Sequence, residues 1–276
     1  MPASSPVPDA DLERYARLLQ TQRSRMLRGL AWALAAILLY GFCLKVSGID
    51  LGRLLSGLPR LAGYLAKSWP PNFEDFDAVL RGAGETIAIA TLGTTLGAVL
   101  AVPLCLLGAR NITPALALYL PARAILNVLR SIDTFVFALL FVAAVGLGPF
   151  SGILGVSFHV AGSIAKLWSE EIEAVDPRPI EALTATGASR LLVWRYGLLP
   201  TIAPGLASVL LYMWEFNIRS STVLGLVGAG GIGQQLKNAV DLLDFARVAP
   251  IIGVILLMVA FVDGLSAFVR RRLVAA

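Results

Sequence analysis

The chain has 276 residues, 57% of them hydrophobic and only 15% charged, and a formal net charge of +5. A soluble domain is roughly 45–50% apolar and about 25% charged. That imbalance excludes a soluble globular enzyme, a secreted disulfide scaffold and a disordered chain, and predicts an all-α polytopic membrane bundle.

The basic residues stand mostly at the ends of apolar runs, so the positive balance is read as membrane topology and not as nucleic-acid binding. Both cysteines, Cys43 and Cys105, lie inside apolar segments with no disulfide spacing. His159 is the single histidine and cannot build a His-based metal site. No metal and no cofactor is expected.

In chain order, residues 1–28 are polar and carry Arg14, Arg17, Arg23, Arg25 and Arg28. They read as a cytoplasmic tail, with an interfacial helix over Leu12–Leu27. No small-x-small cleavage site follows, so the tail is not read as a signal peptide. A first transmembrane helix is predicted over 29–46, followed by an outer loop over 47–82. This loop holds Pro70 and Pro71 and the acidic run Asn72–Asp77, and reads as a surface segment. A core over 83–272 follows, with spans at 83–109, 131–147, 150–168, 201–220 and 249–269. About six helices result, with the lipid bilayer as their solvent. Residues 113–130, interrupted by Pro114, Pro121, Arg123 and Arg130, read as the interfacial approach to the third span. Counted separately they would make seven. With six spans both termini are cytoplasmic, and the inner segments carry the larger share of Arg and Lys.

Residues 170–200 are too polar for lipid. Asp176-Pro177 reads as a helix break, and Pro179–Thr186 as a short helix. Gly187 suits the positive φ of a turn. A second short helix is stopped by Pro200. Such a helix–turn–helix on the cytoplasmic side is either a knob for a partner's groove or a connector that packs on its own bundle.

The run resembles the EAA loop of ABC-importer permeases: Glu-Ala-Ala, three residues, Gly, nine residues, Ile, one residue, Leu-Pro. Glu181, Ala182, Gly187, Leu199 and Pro200 stand at matching positions, while Leu183 replaces the second alanine and Gly197 the isoleucine. Over residues 80–272 the chain is most similar to the phosphonate-importer permease family, through Leu129–Ala138, the EAA-like run and Asn217–Gly233. The resemblance implies a type I importer permease of the inner (plasma) membrane that pairs with an identical or homologous permease subunit. It implies that the loop docks on a cytoplasmic ABC ATPase dimer and that a periplasmic binding protein delivers substrate. The substrate implied is a phosphorus oxyanion, phosphonate first. Phosphite, hypophosphite, methionine or an organosulfonate are the alternatives within the class.

Gly228-Ala229-Gly230-Gly231-Ile232-Gly233 matches G-x-G-x-x-G but lacks the strand and soluble βαβ context of a dinucleotide site. Gly228, Gly230, Gly231 and Gly233 read instead as a gate or re-entrant segment, or as a plain outer loop. No lysine follows a glycine, so this sequence has no Walker A motif, and ATP would be hydrolysed by another chain. An ion-coupled secondary transporter would show an internal repeat, which is not seen. A membrane enzyme would need a catalytic cluster that one histidine does not supply.

Charges within spans need partners or a cavity. Arg130 with Asp133, and Glu215 with Arg219, have helical pairing distances. Ser131, Thr134, Asn217, Ser220, Ser221 and Thr222 lie beside them. Either these pairs are internal, or Arg130 and Arg219 line the translocation path for an anion. Asp263 and His159 read as structural polar groups, with contact to the path the alternative for His159. Gly93-x-x-x-Gly97 marks close helix packing within the protomer or across a dimer.

Overall fold

A computed structural model of the protein describes residues 9–113 and 115–275. Residues 1–8 of the expected tail and Pro114 lie outside them. The described residues contain helices and no strand. They form two compact units divided after Gly63.

In the first unit, α1 (Asp9–Ser47) joins most of the expected tail and the first span in one helix. Its Arg28–Ser47 portion is long and apolar enough to cross a membrane. Trp32, Ile37 and Phe42 are exposed along it, as side chains that meet lipid should be. Within the expected outer loop lies a helix, α2 (Leu51–Lys67). The signal was in the sequence: Leu54, Leu58, Leu61 and Leu65 recur at helical spacing. Pro59 and the glycines hid it.

The second unit begins at Tyr64. Its first long helix, α3 (Phe76–Gly108), starts before the expected residue 83. Then come α4 (Leu116–Ser131), α5 (Thr134–Val145) and α6 (Pro149–Glu173). Five helices among the described residues can cross a membrane, and α4 with α5 makes a sixth if that pair, bent by 88°, counts as one span. The bend has a local cause. Ile132 and Asp133 both take extended backbone angles, and the Asp133 carboxylate accepts from the Phe135 amide at 2.8 Å as an N-cap. Arg130 and Asp133 therefore do not share a helical face.

Central α6 packs against α3, α4 and α5, and small residues let the backbones approach. A Cβ on Gly93 or Gly97 of α3 would lie 2.6 or 2.7 Å from Val156 or Val160 of α6. The Gly93/Gly97 motif thus serves packing within the protomer. On other faces of α6, Gly155 meets Ala138, and Gly162 meets Leu129 and the Arg130 backbone.

The polar island contains α7 (Pro177–Ala185), a turn, and α8 (Arg190–Val193). The second limb runs through a π-turn (Trp194–Leu198) directly into α9 (Leu199–Leu224). Pro200 therefore does not stop the helix. It sits where the π-turn gives way to α9, and the chain stays helical through it. The helical stretch that contains the fifth span accordingly extends back to Arg190. After α9 come a 3₁₀ turn (Gly225–Val227), α10 (Ile232–Asp241) and α11 (Phe245–Ala275). Val79, Ala90, Ile218, Ile232, Ile251 and Met258 form a second buried cluster joining α3, α9, α10 and α11.

Candidate functional site

The loop over 170–200 is anchored at its base and open at its tip. At the base, the Glu173 carboxylate accepts from Arg123 at 2.7 and 2.8 Å and from the Arg110 amide at 2.7 Å. Asn111 donates to the Ile172 carbonyl at 2.8 Å. The Arg123 and Glu173 side chains are mostly buried, so this partner was worth more than the sequence reading of Arg123 as a mere interruption. Asp176 then caps α7, accepting from the Arg178 amide and guanidinium at 2.6–3.0 Å. That guanidinium holds the exposed Asp176 carboxyl below the usual carboxylate range.

No residue of α7 is buried, so Glu181 and Ala182 are presented outward. Gly187 turns the chain with φ +81°, where a side chain would be strained. Leu191, Leu192 and Tyr196 are exposed on the second limb, Leu191 at 79%. Leu199 and Pro200 are exposed just beyond it.

The two departures from the EAA pattern meet in space. A Cβ on Gly197 would lie 2.8 Å from Leu183 Cδ1. The larger side chain at 183 occupies room that an isoleucine at 197 would need, so the changes compensate. Beneath the loop is a cavity of about 590 Å³ bordered by Arg110, Asn111, Thr184, Arg190 and Trp194.

The intramembrane polar residues separate into three groups. Asn217 is buried and donates to Thr94 Oγ1 at 2.8 Å, and Ser221 is buried beside it. Thr222 and Ser131 return their hydroxyls to backbone carbonyls one turn back, and Thr134 is buried. The Asn217–Thr94 bond joins α9 to α3, while the two hydroxyl bonds stay within their own helices. The second group is an ion network: Arg219 lies 2.9 Å from Glu215 and 3.8 Å from Asp263, and Arg270 lies 3.5 Å from Glu215. It ties α9 to α11 and gives Asp263 its partner. Ser220, partly buried, follows Arg219 on α9.

Arg130 is different. It is exposed at the end of α4 and pairs with no carboxylate among the described residues. With His159 and Ser163 of α6 and Tyr212, Met213 and Phe216 of α9, it lines a cavity of about 260 Å³. His159 was read from sequence as structural. Nothing in one chain's pattern signals that α4 ends beside it.

The glycine segment is tightly built. Gly228, Gly230 and Gly231 have φ of +80°, +80° and +82°. The Gly231 amide donates to Glu85 at 3.1 Å and the Ile232 amide to Thr86 Oγ1 at 2.8 Å. Gly148 donates to the Gly228 carbonyl at 2.9 Å. A Cβ on Gly233 would collide with the Thr222 carbonyl. The segment is a cross-linked turn between α9 and α10, with no nucleotide-binding geometry.

Long apolar helices around a small-residue core, with a polar helix–turn–helix between two of them, define a multi-pass membrane transport subunit. Residues 93–275 match the family described as the binding-protein-dependent transport system inner membrane component, and the chain belongs to that family. A relative from Stutzerimonas stutzeri with the provisional name phosphite transport system permease protein HtxC is 48% identical over 90% of this chain and 88% of its own. The phosphite transport system permease protein PtxC of the same organism is 38% identical over 83% of each chain. The phosphate-import permease protein PhnE of Mycolicibacterium smegmatis is 38% identical over 77% of this chain and 40% of its own. Among solved structures, the MetNI methionine ABC transporter in inward-facing conformations aligns with a TM-score of 0.65 and 22% identity. That alignment covers 73% of this chain and 99% of that one, and shows the type I importer permease fold.

Proposed function

We propose that the chain is the membrane subunit of an ATP-driven importer for a phosphorus oxyanion, working beside an identical or homologous permease subunit. A cytoplasmic ATPase dimer receives the outward face of α7, with Glu181, Ala182 and the Gly187 turn at the contact. Leu199 and Pro200 transmit its movement directly into α9. A binding protein delivers substrate on the opposite side, and both termini are cytoplasmic. The glycine turn at 228–233 closes the outer end of the path. Chemistry on the substrate is not asked of this chain.

The observation that carries this reading is the exposed, capped α7 joined through a positive-φ glycine to a helix continuous with a span. A force applied there tilts α9 as a lever. Phosphonate is the first expectation for the cargo from the sequence, and phosphite is the alternative that the names of two relatives matching over most of this chain support.

The test is uptake by proteoliposomes holding the permease, its ATPase and its binding protein. ATP-dependent accumulation of phosphite or methylphosphonate is expected. Gly187→Val should abolish uptake and reduce ATPase co-purification, because a β-branched residue resists φ > 0. Full uptake with normal ATPase co-purification in that variant would sink the docking role.

A further inference from the structure

We propose that Arg130, Ser163 and His159 form a binding site within the membrane subunit for a monoprotonated tetrahedral oxyanion, one that carries both a negative charge and a P–O–H group. This rests on the reading of the chain as a phosphorus-oxyanion importer and adds to it the protonation state and the residues.

The argument starts from a carbonyl. His159 Nδ1 lies 2.9 Å from the Ile132 carbonyl oxygen. A carbonyl only accepts, so Nδ1 carries the proton. In the neutral ring Nε2 is then left as an acceptor. Ser163 Oγ is 3.4 Å from Nε2, near the outer limit of a hydrogen bond, and its hydroxyl donates toward that nitrogen. The chain of donors therefore has one direction. Its free end is the lone pairs of the Ser163 oxygen, an acceptor at the cavity wall.

The bend between α4 and α5 makes this possible. Because the helix breaks at Ile132, that residue's carbonyl is free of an intrahelical bond and can hold the imidazole. The same break ends α4 at the cavity, where Arg130 brings a guanidinium without a carboxylate partner among the described residues. Gly162 lets the end of α4 lie against α6 at this point.

A fork of donors and a neighbouring acceptor together select their ligand. The guanidinium meets two unprotonated oxygens of one phosphorus. The Ser163 oxygen accepts from the third oxygen only if that oxygen bears a proton. Sulfate and sulfonate anions of similar shape have no such proton and would set lone pairs against lone pairs. Met213, Phe216 and Leu167 cover an apolar part of the cavity wall, where a P–H or P–C substituent can lie. The cavity of about 260 Å³ is ample for such a small anion. One Arg and one acceptor hold the ligand weakly, which suits a site on a path that must also release it.

The experiment bypasses the binding protein. The permease–ATPase complex in nanodiscs is titrated with methylphosphonate and with methanesulfonate at neutral pH, where the methylphosphonate monoanion keeps one P–O–H proton and methanesulfonate has none. Methylphosphonate should bind about tenfold more tightly, the scale of one hydrogen bond to a charged partner. Ser163→Ala should remove that preference by weakening methylphosphonate alone, and His159→Leu should do the same. Arg130→Gln should weaken both anions. Equal binding of the two anions by the unmodified complex, binding of neither, or an unchanged preference in Ser163→Ala would overturn the proposal. The same complex supplied with its binding protein is assayed for phosphite and phosphonate uptake. Uptake without the binding preference removes this site and leaves the transport function standing, whereas loss of uptake of both substrates removes the function itself.

Discussion

Arg130 and Arg219 have the same chemistry and similar sequence surroundings, yet they do different work. The Arg219 charge is shared between Glu215 and Asp263, so it ties α9 to α11. Arg130 faces a cavity and has no such partner among the described residues. Sequence spacing was right about Glu215 and Arg219, because both lie within one uninterrupted helix. For Arg130 and Asp133 the same spacing misled, because the Asp133 carboxylate caps α5 and interrupts the helix between them. The signal was an aspartate just before an apolar run, a recognised helix start. Uptake assays should separate the two arginines. Arg130→Gln is expected to reduce uptake at least about tenfold, the loss of one charge-assisted contact. Arg219→Ala should cost less, since Glu215 keeps Arg270 at 3.5 Å. A larger loss in Arg219→Ala would reverse this assignment.

At the scale of elements, the coupling loop shows why a pattern can be broken and its shape kept. Leu183 and Gly197 each depart from the EAA pattern, and each accommodates the other. Leu183→Ala should destabilise the loop by about 1–2 kcal/mol, at the lower end for a half-buried leucine. Gly197→Ile should cost about 1–3 kcal/mol through overpacking. The double variant, which recreates the common pattern, should recover most of both losses. A double-mutant cycle on ATPase co-purification and thermal stability measures this directly, and strict additivity would refute the compensation. The pattern positions and the Gly187 turn were legible in the sequence. The contact between 183 and 197 was not, since it depends on how α7 folds back on the π-turn. Pro200 was misread for a related reason: a proline ends one helix or begins another, and the choice depends on the backbone before it.

Across the second unit, the helices are held by close backbone approach around α6, where Gly155 and Gly162 meet α5 and α4. Membrane helices gain little from expelling apolar surface, so such packing must supply much of their cohesion. Gly162→Leu would place side-chain atoms where Leu129 and the Arg130 backbone now lie. It should lower stability by about 1–3 kcal/mol or more, and displace the end of α4. Thermal unfolding in detergent checks the first effect, and anion binding at the Arg130 cavity checks the second. Unchanged stability and binding would mean that α4 has room which the geometry denies.

Composition alone determined that this chain lives in a membrane, because 57% hydrophobic residues cannot be enclosed in a soluble domain of this size. Local pattern determined the apolar spans, the positive-φ turn at Gly187 and the polar loop, because these depend on residues near one another in the chain. Tertiary structure alone decided which face of α6 each glycine serves, and that Arg130, His159 and Ser163 share a cavity. Those outcomes depend on distances between helices far apart in sequence, and side-chain periodicity along a single helix carries no record of them.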